Sequence, residues 1–261
     1  MKTSPLKRSP RKRGSKTLRT LLLEALPSGP WRIRARSSWS VELSHGDFHG
    51  ETLTIRNLRR GDLRLMLRFR DRLSAKSRDL FCPYPWGKES ALKTALATAI
   101  DNTSKRIDAS YLILAEGVPV GHFFLWKAGG NPASRAMGVE VPELGVAVAD
   151  AHQGRGLGAL SVAILKAVAT REGADAIELT TALSNAGGWN TYLKAGFRHL
   201  GNIVNPLEVD VTAVDEGRPA PRRFREERQM VYIIHRPKEK AVLAYLASKR
   251  KLSERFSLPQ E

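Results

Sequence analysis

Gln153-Gly-Arg-Gly-Leu-Gly158 sets three glycines on alternate positions, and the apolar spacing of Leu157, Leu160, Ile164 and Val168 begins inside it. Glycines at the mouth of a helix point to phosphate chemistry. The first turn of a helix carries N–H groups without intrahelical acceptors and the positive end of the macrodipole. A loop without Cβ atoms lets a phosphate come close enough to use them. Each bond from a backbone N–H to a charged acceptor contributes about 1.5–3 kcal/mol, so three or four supply much of the roughly 8 kcal/mol of micromolar binding. Gln153, Gly154, Gly156, Leu157, Gly158 and Ala159 are the candidate cradle, and Arg155 places a positive charge in it. The competing reading is a glycine-rich turn that only packs.

The same loop, as Gly154-x-Gly156-x-x-Ala159, fits a dinucleotide fingerprint, with Glu178 about twenty residues on as the ribose-binding acid. An NAD(P)-binding oxidoreductase of that kind needs repeated βα units around a parallel sheet. The chain instead shows one such unit: Glu143–Ala149 as a strand, the glycine loop, a helix to about Thr170, and Ala176–Leu183 as the next strand.

Upstream, Lys16–Leu26 reads as a short helix stopped by Pro27, and Trp31–Arg36 (WRIRAR) as an edge strand. Glu51–Leu58 is a strand, and Asp62 is placed to cap a helix carrying Leu63, Met66, Leu67 and Phe69. Phe81–Gly87 is a loop, a second helix runs from about Glu89 to Ile100, and Tyr111–Trp126 is a hairpin turning at Glu116-Gly117. Downstream, Gly187-Gly188 moves the start of the next helix to Trp189, because Gly costs up to about 1 kcal/mol against Ala inside a helix. A strand near His199–Val204, a basic loop over about Pro206–Glu227, the strand RQMVYIIH and a helix carrying Val242, Tyr245 and Leu246 follow. The expected fold is α/β (α+β): a mixed, mostly antiparallel sheet flanked by helices, with one central β-α-β unit. The expected organisation is a disordered basic leader at 1–15, an extension of short helix and edge strand at 16–50, the main domain at 51–236 and a basic helix at 237–261.

The 261 residues carry a net charge of +17, and its placement matters more than its size. Residues 1–40 hold +10 and residues 218–261 hold +7, leaving the body neutral. Charged ends suit a solvated tail, an acidic or nucleic-acid partner, or, for the Arg/Ser-rich start, an organelle presequence. The lone Cys82 excludes a disulfide framework and fits a cytoplasmic setting. No apolar run is long enough to span a membrane, and the six histidines have no metal-ligand spacing, so no metal is expected. His152 is read as a loop-entry residue and Cys82 as structural.

Taken together, the glycine loop and a second motif resemble the GNAT family of N-acetyltransferases. The loop matches as Gln153, Gly154-Arg155, Gly156, Leu157, Gly158, with Val146-Ala147-Val148 at the strand end before it. The second motif is Asn185, Tyr192, and Gly196-Phe197. The resemblance spans roughly Glu51–His235. It implies acetyl-CoA as co-substrate, held by the loop, by Asn185 and along Val146–Val148, where a backbone N–H meets the developing oxyanion. It implies Tyr192 as the acid for the leaving thiolate and an acceptor site overlain by Phe81–Ser90, where Tyr84 and Trp86 either line that site or simply pack.

Such a reaction also needs a base. An alkyl ammonium of pKa near 10.4 is only about 0.04 % neutral at pH 7, a cost of roughly 4–5 kcal/mol. Glu143 is the candidate, on the strand face shared with Gly145 and Ala147, whose small side chains leave room for a pantetheine arm; Glu140 and Asp150 compete. The expected activity is acetyl transfer to a primary amine by direct attack. The alternative is a GNAT-fold protein of reduced turnover that binds RNA or ribosome through its basic ends.

Overall fold

A computed structural model describes residues 16–81, 83–86, 88–127, 134, 136–207 and 223–253. The basic leader, Cys82, most of the loop after Leu207 and the last eight residues lie outside the described residues.

One nine-stranded sheet organises the described residues. Its strands are β1 (Arg32–Ala35), β2 (Val41–Phe48), β3 (Glu51–Asn57), β4 (Ala109–Ala115), β5 (Val118–Trp126), β6 (Glu143–Val148), β7 (Ala176–Ala182), β8 (Arg198–Leu207) and β9 (Arg223–Ile233), in spatial order 1-2-3-4-5-6-7-9-8. Every neighbouring pair is antiparallel except β6 with β7. The helices are α1 (Leu18–Ala25), α2 (Leu63–Arg70), α3 (Ala75–Leu80), α4 (Glu89–Ser104), α5 (Leu157–Glu172), α6 (Ala186–Lys194) and α7 (Glu239–Ser253). The mixed, mostly antiparallel fold with one β-α-β unit, β6-α5-β7, is the one expected, and it removes the parallel-sheet dinucleotide reading.

Local sequence explains most elements. The β4–β5 turn puts both Glu116 and Gly117 at positive φ, as a tight hairpin needs. Helix α5 buries Leu157, Leu160, Ile164 and Val168 and stops at Gly173, which takes the left-handed conformation. Leu18 and Leu22 of α1 join the same core as the sheet's Leu43, Ile55 and Phe123, so residues 16–50 pack on the rest rather than trail from it. At the other end, α7 lays Val242, Tyr245 and Leu246 against Val139, Ala176 and Val231.

Three local readings are corrected. Asp62 does not cap α2: its carboxylate accepts from the Arg59 N–H at 2.7 Å and from both Arg56 guanidinium nitrogens at 2.7 and 2.9 Å, and so ties β3 to the entry of α2. Helix α6 starts at Ala186, not Trp189. Asn185 Oδ1 accepts from the Gly188 N–H at 3.0 Å, and a Cβ on Gly188 would lie 2.5 Å from Asn185 Nδ2. The glycine that weakens the helix is what lets its cap close. Finally, β8 and β9 run longer than expected, to Leu207 and from Arg223.

Candidate active site

The single parallel pair is where the sheet opens. Among the described residues β6 and β7 register only at Glu143–Glu178 and then part. Strand parity fixes what faces the gap. The Glu178 N–H donates to Pro142 O, toward β7, and the Ala149 N–H donates to Val120 O, toward β5. Even positions of β6 therefore direct their backbone groups at the gap, which puts the Val146 N–H there.

A cleft of about 810 Å³ fills that gap. Its floor is Val146, Ala147 and Val148, one wall is the glycine loop with the start of α5, and the other walls come from α6 and α3. Gly154 and Gly156 sit at φ 75° and 84°, and a Cβ added to either would meet nothing within 4 Å. Their lack of a side chain thus serves the backbone conformation and open access, not packing. Gly156 is the N-cap of α5 and has no side chain with which to cap it, so the first-turn N–H groups look into the cleft. Loop and strand are clamped together: Gln153 Nε2 donates to Val148 O, to Asp150 Oδ1 and to Ser77 Oγ, and Asp150 accepts from the Ser74 N–H and the Ser77 hydroxyl. Desolvation raises the Asp150 pKa, but the Ser74 and Ser77 bonds and the charge of Arg78 outweigh it and hold it below the usual carboxylate value, which makes Asp150 a weaker base.

Tyr192, Asn185, Gly158 and Ala159 also line the cleft, together with the buried Leu157. Burial lifts the Tyr192 phenol to about 12. Three lysines at the cleft, Lys76, Lys166 and Lys194, carry no sequence signal and come from three different helices. His152 lines it as well, with Nε2 3.4 Å from Glu51 and a buried Nδ1 that has no partner.

Other expected residues sit elsewhere. Arg155 turns away from the cleft, donating to His49 O at 3.0 Å and pairing with Glu51 at 3.3 Å, because the tip of the β2–β3 hairpin offers it a carboxylate. Tyr84 and Trp86 are buried and do not line the cleft. The Tyr84 hydroxyl bonds to His122 Nε2 at 2.9 Å, and the Trp86 indole donates to Phe81 O. Phe81 itself, with Leu80, reaches the cleft. Gly145 leaves no room for a ligand arm: the Phe124 ring lies across it, and an added Cβ would fall 2.2 Å from Phe124 Cζ.

Glu143 sits where β6 and β7 still register, outside the residues that line the cleft, half-buried beside the buried Glu178 and Glu227. Burial raises its pKa most, Lys249 opposes, and the two neighbouring carboxylates add to the rise, to about 7. Lys249, from α7, binds both oxygens of buried Glu178 at 2.9 Å. This ion pair engages the acid that a dinucleotide ribose would require. Among the described residues no three His, Cys, Asp or Glu side chains gather to hold a metal, and no helix is long and apolar enough to cross a membrane.

Residues 77–197, from α3 through the end of the second motif, match the model of the acetyltransferase (GNAT) family. Over that stretch the chain is similar to the acetyltransferases of the GNAT family. Solved structures agree on the GNAT fold. A ribosomal-protein-S5-alanine acetyltransferase from Vibrio fischeri is 10% identical with a TM-score of 0.53, covering 73% of this chain and 96% of that one. Mycobacterium smegmatis RimJ, solved with a CoA-disulfide, is 18% identical with a TM-score of 0.50, over 86% and 97% of the two chains. A spermidine N-acetyltransferase chimera from Vibrio cholerae and a second enzyme is 17% identical with a TM-score of 0.50, over 73% and 98%. No curated protein is significantly similar in sequence.

Proposed function

We propose that the protein transfers acetyl from acetyl-CoA to a primary amine by direct attack. The observation that carries this reading is the uncapped, left-handed glycine loop opening onto the gap where β6 and β7 part. The residues fit the substrate: the N–H groups from Gly154 to Ala159 take the diphosphate, and Lys76, Lys166 and Lys194 supply positive charge for its phosphates. Asn185 acts by capping α6, which holds Tyr192 at the cleft.

In the reaction the amine nitrogen forms a bond to the thioester carbon, and the carbon–sulfur bond breaks. The Val146 N–H, directed into the gap, is the donor for the oxygen as it gains charge. Glu143, with a pKa near neutrality, takes the ammonium proton, through water where the acceptor does not reach it. Tyr192 remains protonated across the neutral range. A thiol pKa is about 8.5, so a phenol near 12 stabilises the leaving sulfur by donating a hydrogen bond, and the sulfur ends as the thiol by taking up the second proton that the nitrogen loses as the amide forms. The acceptors named for the structural relatives, a ribosomal-protein alanine and spermidine, are both amines, and the reading extends to an amine and no further. The setting in a cytoplasmic compartment remains part of the same proposal.

Isothermal calorimetry with acetyl-CoA and with NAD tests the cradle. The wild-type chain is expected to bind the first and not the second, and Gly156→Glu to abolish binding through clash and repulsion with phosphate. Unchanged affinity in the variant refutes the loop assignment.

A further inference from the structure

The WRIRAR strand has no part in the acetyl-transfer site. In β1 the residues alternate between exposed Arg32 and Arg34 and half-buried Ile33 and Ala35, and Arg36 continues the exposed row. Alternate residues of a strand lie ~6.7 Å apart on one face. The row forms one side of a second groove, of about 790 Å³, between the outer face of β1–β3 and the turn that ends α4. Five arginines line it, Arg34, Arg36, Arg59, Arg60 and Arg106, against two carboxylates, Glu42 and Asp108.

Those carboxylates do not neutralise the arginines. Arg59 reaches Glu42 at 3.3 Å and Arg60 reaches Asp101 at 3.6 Å, both from exposed positions where such pairs contribute little. Asp108 is already engaged by the Asn102 amide and the Lys127 N–H. Arg34, Arg36 and Arg106 have no ion-pair partner among the described residues. Arg106 lies over the Trp39 ring at 5.9 Å, and the five arginines outnumber the two lining carboxylates, so the groove keeps a net positive charge. A polyanion would offset it.

We propose that this groove binds a single-stranded nucleic acid through its phosphodiester backbone. The cationic lining is all arginine, whose planar fork matches phosphate oxygens two at a time, and its side chains repeat along a strand as phosphates do along a chain. A concave floor admits a flexible strand, whereas a bilayer or a rigid duplex meets only the rim. The groove lies toward the β1 edge of the sheet and shares no lining residue with the acetyl-CoA cleft, so the two are separate. The +10 charge of residues 1–40 includes this row and steers the same ligand toward it.

The test uses the full chain and a fluorescein-labelled oligouridylate, read by anisotropy over a series of salt concentrations. The variant Arg34→Gln/Arg36→Gln/Arg60→Gln is expected to bind at least ~tenfold more weakly at low salt. Its log K against log salt slope is expected to be shallower by about 2, since each phosphate contact on a single strand contributes about 0.7. Melting temperature and acetyl-CoA affinity should be those of the wild type. Unchanged slope and affinity would assign nucleic-acid binding to the leader and overturn the proposal. Displacement of the oligonucleotide by poly-glutamate at equal charge concentration would make this a surface for acidic polypeptide, and overturn it too. Because the readout is RNA binding, failure of the acetyl-transfer reading leaves this result untouched, and the reverse holds.

Discussion

Glu143 is the residue whose chemistry depends most on its neighbours. Its place on β6 singles Glu143 out in sequence, but its elevated pKa comes from burial beside Glu178 and Glu227, which no local pattern encodes. Lys249 works in the opposite direction, drawn to Glu178 from a helix 71 residues away along the chain. Burial alone would lower the Lys249 pKa, but the two carboxylates outweigh it and raise it. Replacing Lys249 with Met removes the charge that favours ionised Glu143, so the Glu143 pKa rises. If Glu143 is the base, the acid limb of the kcat/KM against pH profile should move from about pH 7 to higher pH in Lys249→Met; an unmoved limb assigns the base elsewhere. Arg155 and Asp62 give the same lesson at shorter range. Residue type fixed their charge, while the β2–β3 hairpin and Arg56 fixed its use.

At the scale of elements, the β6-α5-β7 unit is the part most legible in sequence. Its strand alternation, glycine loop and helical spacing are all local signals, and α5 starts and stops where its glycines say. The sequence reading assigns no element to Val41–Phe48, where His45, Gly46 and Asp47 dilute the strand pattern, or to α3, whose six residues bury none of their side chains. Helix α3 is held instead by the Ser74 cap and the Ser77–Asp150 bond. Gly145 shows how pairing decides a residue's role. It stands opposite Phe124 in the β5–β6 register, and the ring, stacked on Trp126 at 4.5 Å, occupies the space a side chain would take. Gly145→Ala is expected to destabilise the fold by about 1–3 kcal/mol. In a Phe124→Leu background the same change should cost less, and a urea-denaturation double-mutant cycle with no coupling would refute the contact as its cause.

At the scale of the whole molecule, stability is tied to a buried histidine. His122 Nδ1 lies 2.9 Å from Tyr111 O, which only accepts, so Nδ1 carries the proton and neutral Nε2 accepts from the Tyr84 hydroxyl. Burial depresses the His122 pKa from 6.5 to about 4. The unfolded chain therefore takes up a proton below pH 6.5 that the folded chain refuses until about pH 4. Stability from this group is complete above pH 6.5 and falls through that window by about 3 kcal/mol. Urea unfolding across pH 7 to 4 should show that loss in the wild type and a flatter dependence in His122→Gln; parallel curves would show that other groups set the acid limit.

The sequence by itself determined the mixed fold, the glycine loop with its helix and the concentration of charge at the ends, since each rests on composition, periodicity or spacing within a few dozen residues, whereas Asn185 and Tyr192 stand out only through the family resemblance. Only the tertiary structure decided that Arg155 leaves the cradle, that Tyr84 and Trp86 pack inside, that three lysines reach the cleft and that five arginines share a groove. Those outcomes depend on which strands and helices meet far apart along the chain, 38 residues between Tyr84 and His122 and 106 between Arg155 and His49, and charge and burial are settled by that meeting rather than by neighbours in sequence.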